Sequence, residues 1–274
     1  METTRANTAT LDEAVLGAAL MAGSANVIMQ LARPGVGYGV VESKVHSGNL
    51  FHHPVKRTRT TLSYLAVATM GTDEDKRHYR RAVNTAHVHV RSTEPSPVEY
   101  NAFDRNLQLW VAACLYKGFE DTYDVFLGGI APERVDEFYQ EASALGTTLQ
   151  VRREMWPADR DAFEEYWTES LDAVSIDDTV RDYLTAIVDL KFADRVSRLL
   201  FGRFHRFVTT GFLPRRFRDE MRLGWTSRQE RRWRALMTAV GAVAKRLPRP
   251  LRQFPFNLCL WDVRRRIRAG RPLV

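Results

Sequence analysis

Apolar residues recur along this chain at intervals of three and four, the spacing that gathers side chains on one face of a helix. Read by that period, Leu11–Met21 and Ser24–Arg33 are two helical pieces meeting near Gly23, and Pro34 ends the second. The small apolar run Gly35–Ser43 predicts a further helix that reaches Glu42. Arg57–Met70 is amphipathic and closed by Gly71, after a loop over His46–Pro54. Thr72, with an acid three residues on at Asp75, marks the start of a helix expected over Asp75–Arg91. A polar connection, Ser92–Tyr100, leads to Asp104–Phe119, which carries no charge from Leu107 to Tyr116 and is expected to be buried on most sides. Ala131–Leu145, with its alternating acids, is expected on the surface. Pro157–Leu171 and Thr179–Leu190 follow, the latter capped by Asp177 or Asp178. Arg195–Phe207, Ser227–Leu247 and Asn257–Ala269 complete the set, with Gly270 closing the last. Thr147–Arg152 is the one weak strand candidate. The pattern predicts an all-α fold with residues 1–274 in a single helical domain.

The stretch Ala14–Ala32 is uncharged and long enough to span a bilayer. Ser24, Asn26 and Gln30, the breaks at Gly17 and Gly23, and the preceding Asp12 and Glu13 argue instead for buried core helices without a secretory leader. A composition of 45% hydrophobic and 27% charged residues in 274 is that of an ordinary globular chain. Two cysteines, Cys114 and Cys259, lie in apolar helical contexts without a second ligand at metal spacing, which fits a reducing cytoplasm and argues against zinc or a disulfide scaffold. Charge is uneven. Residues 191–274 carry 22 Lys and Arg against 5 Asp and Glu, a balance of +17 that leaves −10 for the first 190. Such a section suits an anionic surface, and equally a set of solvated helix faces paired with the acidic part of the chain.

One polar residue falls on an apolar stripe. At helical period Tyr79, Val83, Ala86 and Val90 line up and include His87, whereas His89 shares a solvated sector with His78, Arg81 and Thr85. A buried imidazole needs a partner for its ring nitrogens. That partner is a backbone carbonyl or core hydroxyl in the plainer reading, and an iron in the sharper one.

Several stretches bear on the choice: Gln30-Leu31-Ala32-Arg33-Pro34, Val40-Val41-Glu42-Ser43, Pro54-Val55-Lys56-Arg57-Thr58-Arg59-Thr60-Thr61-Leu62, Val83-Asn84-Thr85-Ala86-His87 and Leu107-Gln108-Leu109-Trp110-Val111. In order and spacing, from about Leu16 to about Leu190, they resemble the rubber-oxygenase (latex-clearing protein) and mpaB-type oxygenase family, in its actinobacterial-type branch. The resemblance implies a globin-like helical core with additional helices, residues 11–190 forming the family core and 191–274 a basic helical section. It implies haem b with His87 as the axial ligand, Arg57 and Thr61 on the distal or propionate side, and an acid near Glu42 drawing an allylic proton. The helix of Trp110 would line a dry cavity for cofactor and substrate. Substrates of the family are isoprenoid chains, cleaved or oxygenated with O2.

The residues themselves allow these roles and others. Arg57 and Thr61 lie one turn apart on one face. Arg57 suits a propionate, or a salt bridge to Glu42; the Thr61 hydroxyl suits a ligand, or a bond back into its own helix. Glu42 in a small apolar setting suits a base, or a helix-end acid meeting Lys44, Lys56 or Arg57. The chain also departs from the pattern. Thr60 stands where rubber oxygenases carry Lys, Arg33 where many relatives have His, and Ala112 where a His sits in the Trp helix. A second axial His then has no donor beyond the loop residues His46, His52 and His53. Glu-x-x-His pairs, a Gly-rich phosphate loop after a strand, and a nucleophile elbow are all missing, so cofactor-borne chemistry is the better explanation of a site built on one His.

The expected protein is a cytoplasmic haem oxygenase acting on a hydrophobic alkene, an isoprenoid or lipid, with a peripheral contact to the inner membrane through the basic section. The alternatives are a haem-binding sensor or carrier without turnover, and a basic helical protein that binds nucleic acid or a membrane surface. Nucleic acid is the weaker partner, since no helix-turn-helix or zinc pattern accompanies the basic residues. The phenylalanines 201, 204, 207 and 212 among the tail arginines suit either a membrane contact or a core helix with solvated arginines, and the second is preferred.

Overall fold

A computed structural model describes residues 11–12, 15–45 and 48–274, and among these the chain is all-α. A 3-10 turn, Gly17–Ala22, leads into α1 (Gly23–Leu31) and α2 (Pro34–Val41), separated by an extended Arg33 with Pro34 opening the second helix. Next come α3 (Pro54–Met70), α4 (Asp73–His87) and the long α5 (Arg105–Leu127). Short helices α6 (Val135–Ala142) and α7 (Ala144–Thr147) precede α8 (Arg160–Leu171) and α9 (Asp178–Val188). The basic section holds α10 (Arg195–Phe212), α11 (Arg215–Glu220), α12 (Ser227–Arg246), α13 (Arg249–Arg252) and α14 (Phe256–Arg268).

The uncharged helix is the axis of the core. Leu109, Trp110, Ala112, Ala113, Cys114 and Tyr116 of α5 are buried, and α1, α7 and α12 pack around it. One end of α5 meets an aromatic cluster in which Tyr116 contacts Tyr139 and Phe163 edge-on, with centroids 5.4 and 4.8 Å apart. Buried side chains form one contiguous cluster from Leu11 to Leu273. The basic section is fastened to the rest by ion pairs: α14 lies along α3, Arg264 meets Asp75, and Arg249 meets Asp12. Arg206 and Arg222 likewise pair with Asp189 and Asp178.

Local signals held where they were strongest. Thr72 and Asp75 form a reciprocal capping box, and Asp177, not Asp178, caps α9. Three expectations need correcting. The helix that carries His87 stops at His87 instead of running to Arg91, because the chain turns out so that Arg91 can pair antiparallel with Asn101. Thr147–Arg152 forms no strand; Val151 packs into the core against Gly146. The segment read as surface, Ala131–Leu145, exposes its acids but fully buries Phe138, Tyr139, Ala142 and Leu145.

Helix α2 is held close to α1 and α9 by Gly37, where a Cβ would come within 2.6 Å of the Leu31 carbonyl oxygen and 3.2 Å of Val180. Gly37→Ala is expected to destabilise the fold by about 1–3 kcal/mol. Gly23→Ala, at a helical position with open space, should be neutral or stabilising by up to about 1 kcal/mol. Denaturant unfolding of both variants checks the pair; equal effects would contradict the packing described.

Candidate functional site

Helix α4 is anchored at its start and carries His87 at its end. Asp75 is buried, where burial alone would raise its pKa, but two bonds from Arg264 of α14, at 2.9 and 3.0 Å, and the Thr72 backbone N–H hold it below the ordinary carboxylate range. Fifteen residues of helix then deliver His87 to the far end, inside the fold. Its ring lies edge-on to Phe103, with centroids 6.2 Å apart. Among the described residues neither ring nitrogen has a hydrogen-bond partner, and Nδ1 is fully enclosed. Burial, helped by the positive charge of Arg57, pushes His87 down from 6.5 to about 4, so the imidazole is neutral with a lone pair available.

Arg57, in the first turns of α3, is the counterpart. Protein crowds it enough that desolvation lowers its pKa, yet much of its side chain stays accessible. The groups whose charge reaches it are Tyr183 of α9 and Tyr79 of α4. Tyr183 is met edge-on by Phe51 at 5.2 Å. No carboxylate lies within ion-pair distance of Arg57 among the described residues, so the salt bridge to Glu42 allowed by the sequence is not made. Thr61, one turn on, is open as well, and its hydroxyl is not bonded back into the helix; Thr60 makes that bond instead, to the Arg57 carbonyl at 3.0 Å.

Glu42 follows α2 as its C-cap. Its Oε2 accepts hydrogen bonds from Ser96 Oγ at 2.7 Å and Tyr100 Oη at 2.8 Å, while Oε1 has no hydrogen bond among the described residues. Its fixing partners come from the connection between α4 and α5, which Ser92 N–H to Tyr100 O (2.8 Å) and Ala102 N–H to Val90 O (2.9 Å) fold into a compact loop. The same connection carries Phe103 to His87. A relay of amides, Asn84 accepting from Gln150 (2.5 Å) and Gln108 bonding both Gln150 and the Ala102 carbonyl (both 2.7 Å), locks that loop to α4 and α5.

Trp110 is not brought to this group. Its indole N–H donates to the Gln30 carbonyl at 3.0 Å, one face stacks on Trp167 at 5.2 Å, and the Arg33 guanidinium lies 5.9 Å from the ring centroid. It is a closed core residue, and the Arg33 that replaces the expected His serves it. His46 lies outside the described residues, and the side chains of His52 and His53 are exposed. Sequence reasoning missed Phe51, Ser96, Tyr100, Phe103 and Tyr183, which sit in loops or on unremarkable helix positions and gave no periodic signal.

Residues 14–242 match the family described as ER-bound oxygenase mpaB/B'/Rubber oxygenase, catalytic domain. The chain belongs to this family. The family region therefore runs through α10 and into α12, well past the expected limit near Leu190. The uncharacterized proteins Rv2237 of Mycobacterium tuberculosis and Mb2261 of Mycobacterium bovis are each 51% identical over 251 residues, covering 92% of this chain and 98% of each relative. No solved structure matches the chain significantly. Among the described residues no helix is long and apolar enough to cross a membrane, and no group of three or more His, Cys, Asp or Glu could hold a metal ion.

Because His87 is depressed in the folded state, the unfolded chain protonates first. Its contribution to stability is present above about pH 6.5 and is lost as the pH falls toward 4. In an NMR titration of the protein without added cofactor, the His87 ring signals should stay constant from about pH 8 down to about pH 5.5. A midpoint near the ordinary histidine value would contradict the enclosed site.

Proposed function

We propose that this family member is a haem b-dependent oxygenase that cleaves or oxygenates a C=C bond of a hydrophobic alkene, an isoprenoid or lipid, with O2. The observation that carries the reading is a neutral His87 whose enclosed Nδ1 has no partner among the described residues, within electrostatic reach of an Arg57 that no described carboxylate pairs. A lone imidazole with no other protein ligands nearby cannot hold a bare metal ion, but it suits a metal that brings its own equatorial donors. An unpaired guanidinium beside it suits the carboxylates such a group carries. The donor set thus fits haem, with His87 as the iron ligand and Arg57 on a propionate; Trp110, closed in the core, is left out of the assignment.

Bound haem would supply the activation of O2. The protein's own residues have separate tasks. Phe51, Phe103 and Tyr183 keep the surroundings dry and shape them for an apolar chain. Thr61 offers a free hydroxyl to a bound polar atom. Glu42 is held in place through Oε2 by Ser96 and Tyr100, which leaves Oε1 as the atom able to take a proton from substrate. The absence of an Arg57–Glu42 pair supports turnover over a sensor or carrier in which those two charges would merely satisfy each other. A cytoplasmic setting is part of the same proposal; peripheral contact with the inner membrane would suit an apolar substrate, and the haem reading does not depend on it.

Expression with a haem precursor tests the reading. The wild type is expected to show a Soret band and to consume O2 when given isoprenoid substrates. His87→Ala should lose the band, Arg57→Ala should bind haem about tenfold more weakly, and Glu42→Gln should keep haem but lose turnover. A wild type that stays colourless through haem titration sinks the proposal.

A further inference from the structure

The first three turns of α10 reverse the usual rule for a helix in a folded domain. Val196, Leu199, Leu200, Phe201 and Phe204 all face solvent, Leu199 at 82% exposure and Leu200 at 66%. The helix is gripped along its inner edge instead. The His205 Nδ1–H donates to the Val188 carbonyl at 2.8 Å, and Nε2 accepts from Ser24 Oγ at 3.0 Å. Only the second half, with Val208, Thr209, Thr210 and Phe212, is buried. This corrects the preferred sequence reading, in which the apolar side of the helix belonged to the core and only the arginines met water.

Charge accompanies the apolar surface. Residues 195–206 hold four arginines and no acid. Arg206 pairs with Asp189 at 2.7 Å, whereas Arg195, Arg198 and Arg203 have no carboxylate within ion-pair distance among the described residues. Beside the start of α10 opens a cavity of about 540 Å³, lined by Val55, Thr58 and Leu62 of α3, by Cys259, and by Phe192 and Ala193. Val55 at this cavity is 81% exposed. Val55, Thr58 and Leu62 share one side of α3, and Arg57 and Thr61 lie on the other.

We propose that residues 195–206 of α10, with Val55, dock onto an anionic phospholipid bilayer. The leucines and phenylalanines would enter the boundary between headgroups and acyl chains, and the three unpaired arginines would meet lipid phosphates. Charge selects this occupant over a second copy of the chain, because a symmetric pairing would bring the same unpaired arginines together. No described helix spans a membrane, so the contact is interfacial. The hollow beside the helix would then face the membrane. The docking rests on this surface alone and not on the oxygenase reading.

Co-sedimentation of the full-length protein with vesicles tests the docking without cofactor or substrate. Binding is expected to vesicles containing phosphatidylglycerol, not to phosphatidylcholine alone, and should weaken at high salt. A Leu199→Asp, Phe201→Asp double variant should lose about tenfold or more in binding, with an unchanged circular dichroism spectrum. Arg198→Gln with Arg203→Gln should weaken binding and flatten its salt dependence. Val243→Asp, at an exposed apolar position of α12, should bind as the wild type does. No binding to anionic vesicles, unchanged binding by the double variant, or a homodimer that the double variant dissolves would each overturn the docking. Such a failure would leave the haem spectrum, and hence the oxygenase reading, untouched.

Discussion

The constraint on which this molecule turns is a histidine at the end of α4 whose Nδ1 is enclosed without a partner among the described residues. Burying a polar group without a partner is costly, and native proteins avoid it. Among the described residues the enclosed Nδ1 of His87 has no partner, and Arg57, close enough to influence its charge state, has no carboxylate within ion-pair distance. Both would be better satisfied by something that accepts a lone pair from one and supplies negative charge to the other.

The fold can tolerate that cost because both helices involved are held elsewhere. Helix α4 begins in a capping box whose acid also binds Arg264, so its terminal histidine needs no bond of its own to stay in position. Helix α3 is clasped by α14 along its length, and Tyr79 ties α4 to it through the Thr60 carbonyl at 2.6 Å. The amide relay through Asn84, Gln150 and Gln108 then fixes the loop that supplies Phe103 to His87 and Tyr100 to Glu42. The basic section, which the charge pattern alone would assign to an external partner, in part performs this internal clamping.

Much of this was legible in the sequence, for reasons that also explain the gaps. Helices, the Thr72 cap and the buried course of α5 were readable because period, capping chemistry and missing charge are local properties. His87 stood out because one imidazole on an apolar stripe is a local contradiction. The residues that complete its surroundings were not readable. Phe103 comes from a separate loop, and nothing in the spacing around it records which histidine it will meet. Trp110 misled for the opposite reason: its apolar helix suggested a cavity wall, while its actual neighbours, Trp167 and Gln30, fill the core completely. The exposed side of α10 was misread because an amphipathic pattern tells that a helix has two faces, not which one meets water.

The central claim is that His87 is a ligand in waiting, not a core residue short of a bond. The most direct test is His87→Gly reconstituted with haem and examined by visible absorption with and without added imidazole. The account predicts that the variant loses the histidine-ligated spectrum and that imidazole, entering the vacated space, restores it. A variant whose spectrum matches the wild type before any imidazole is added would contradict it.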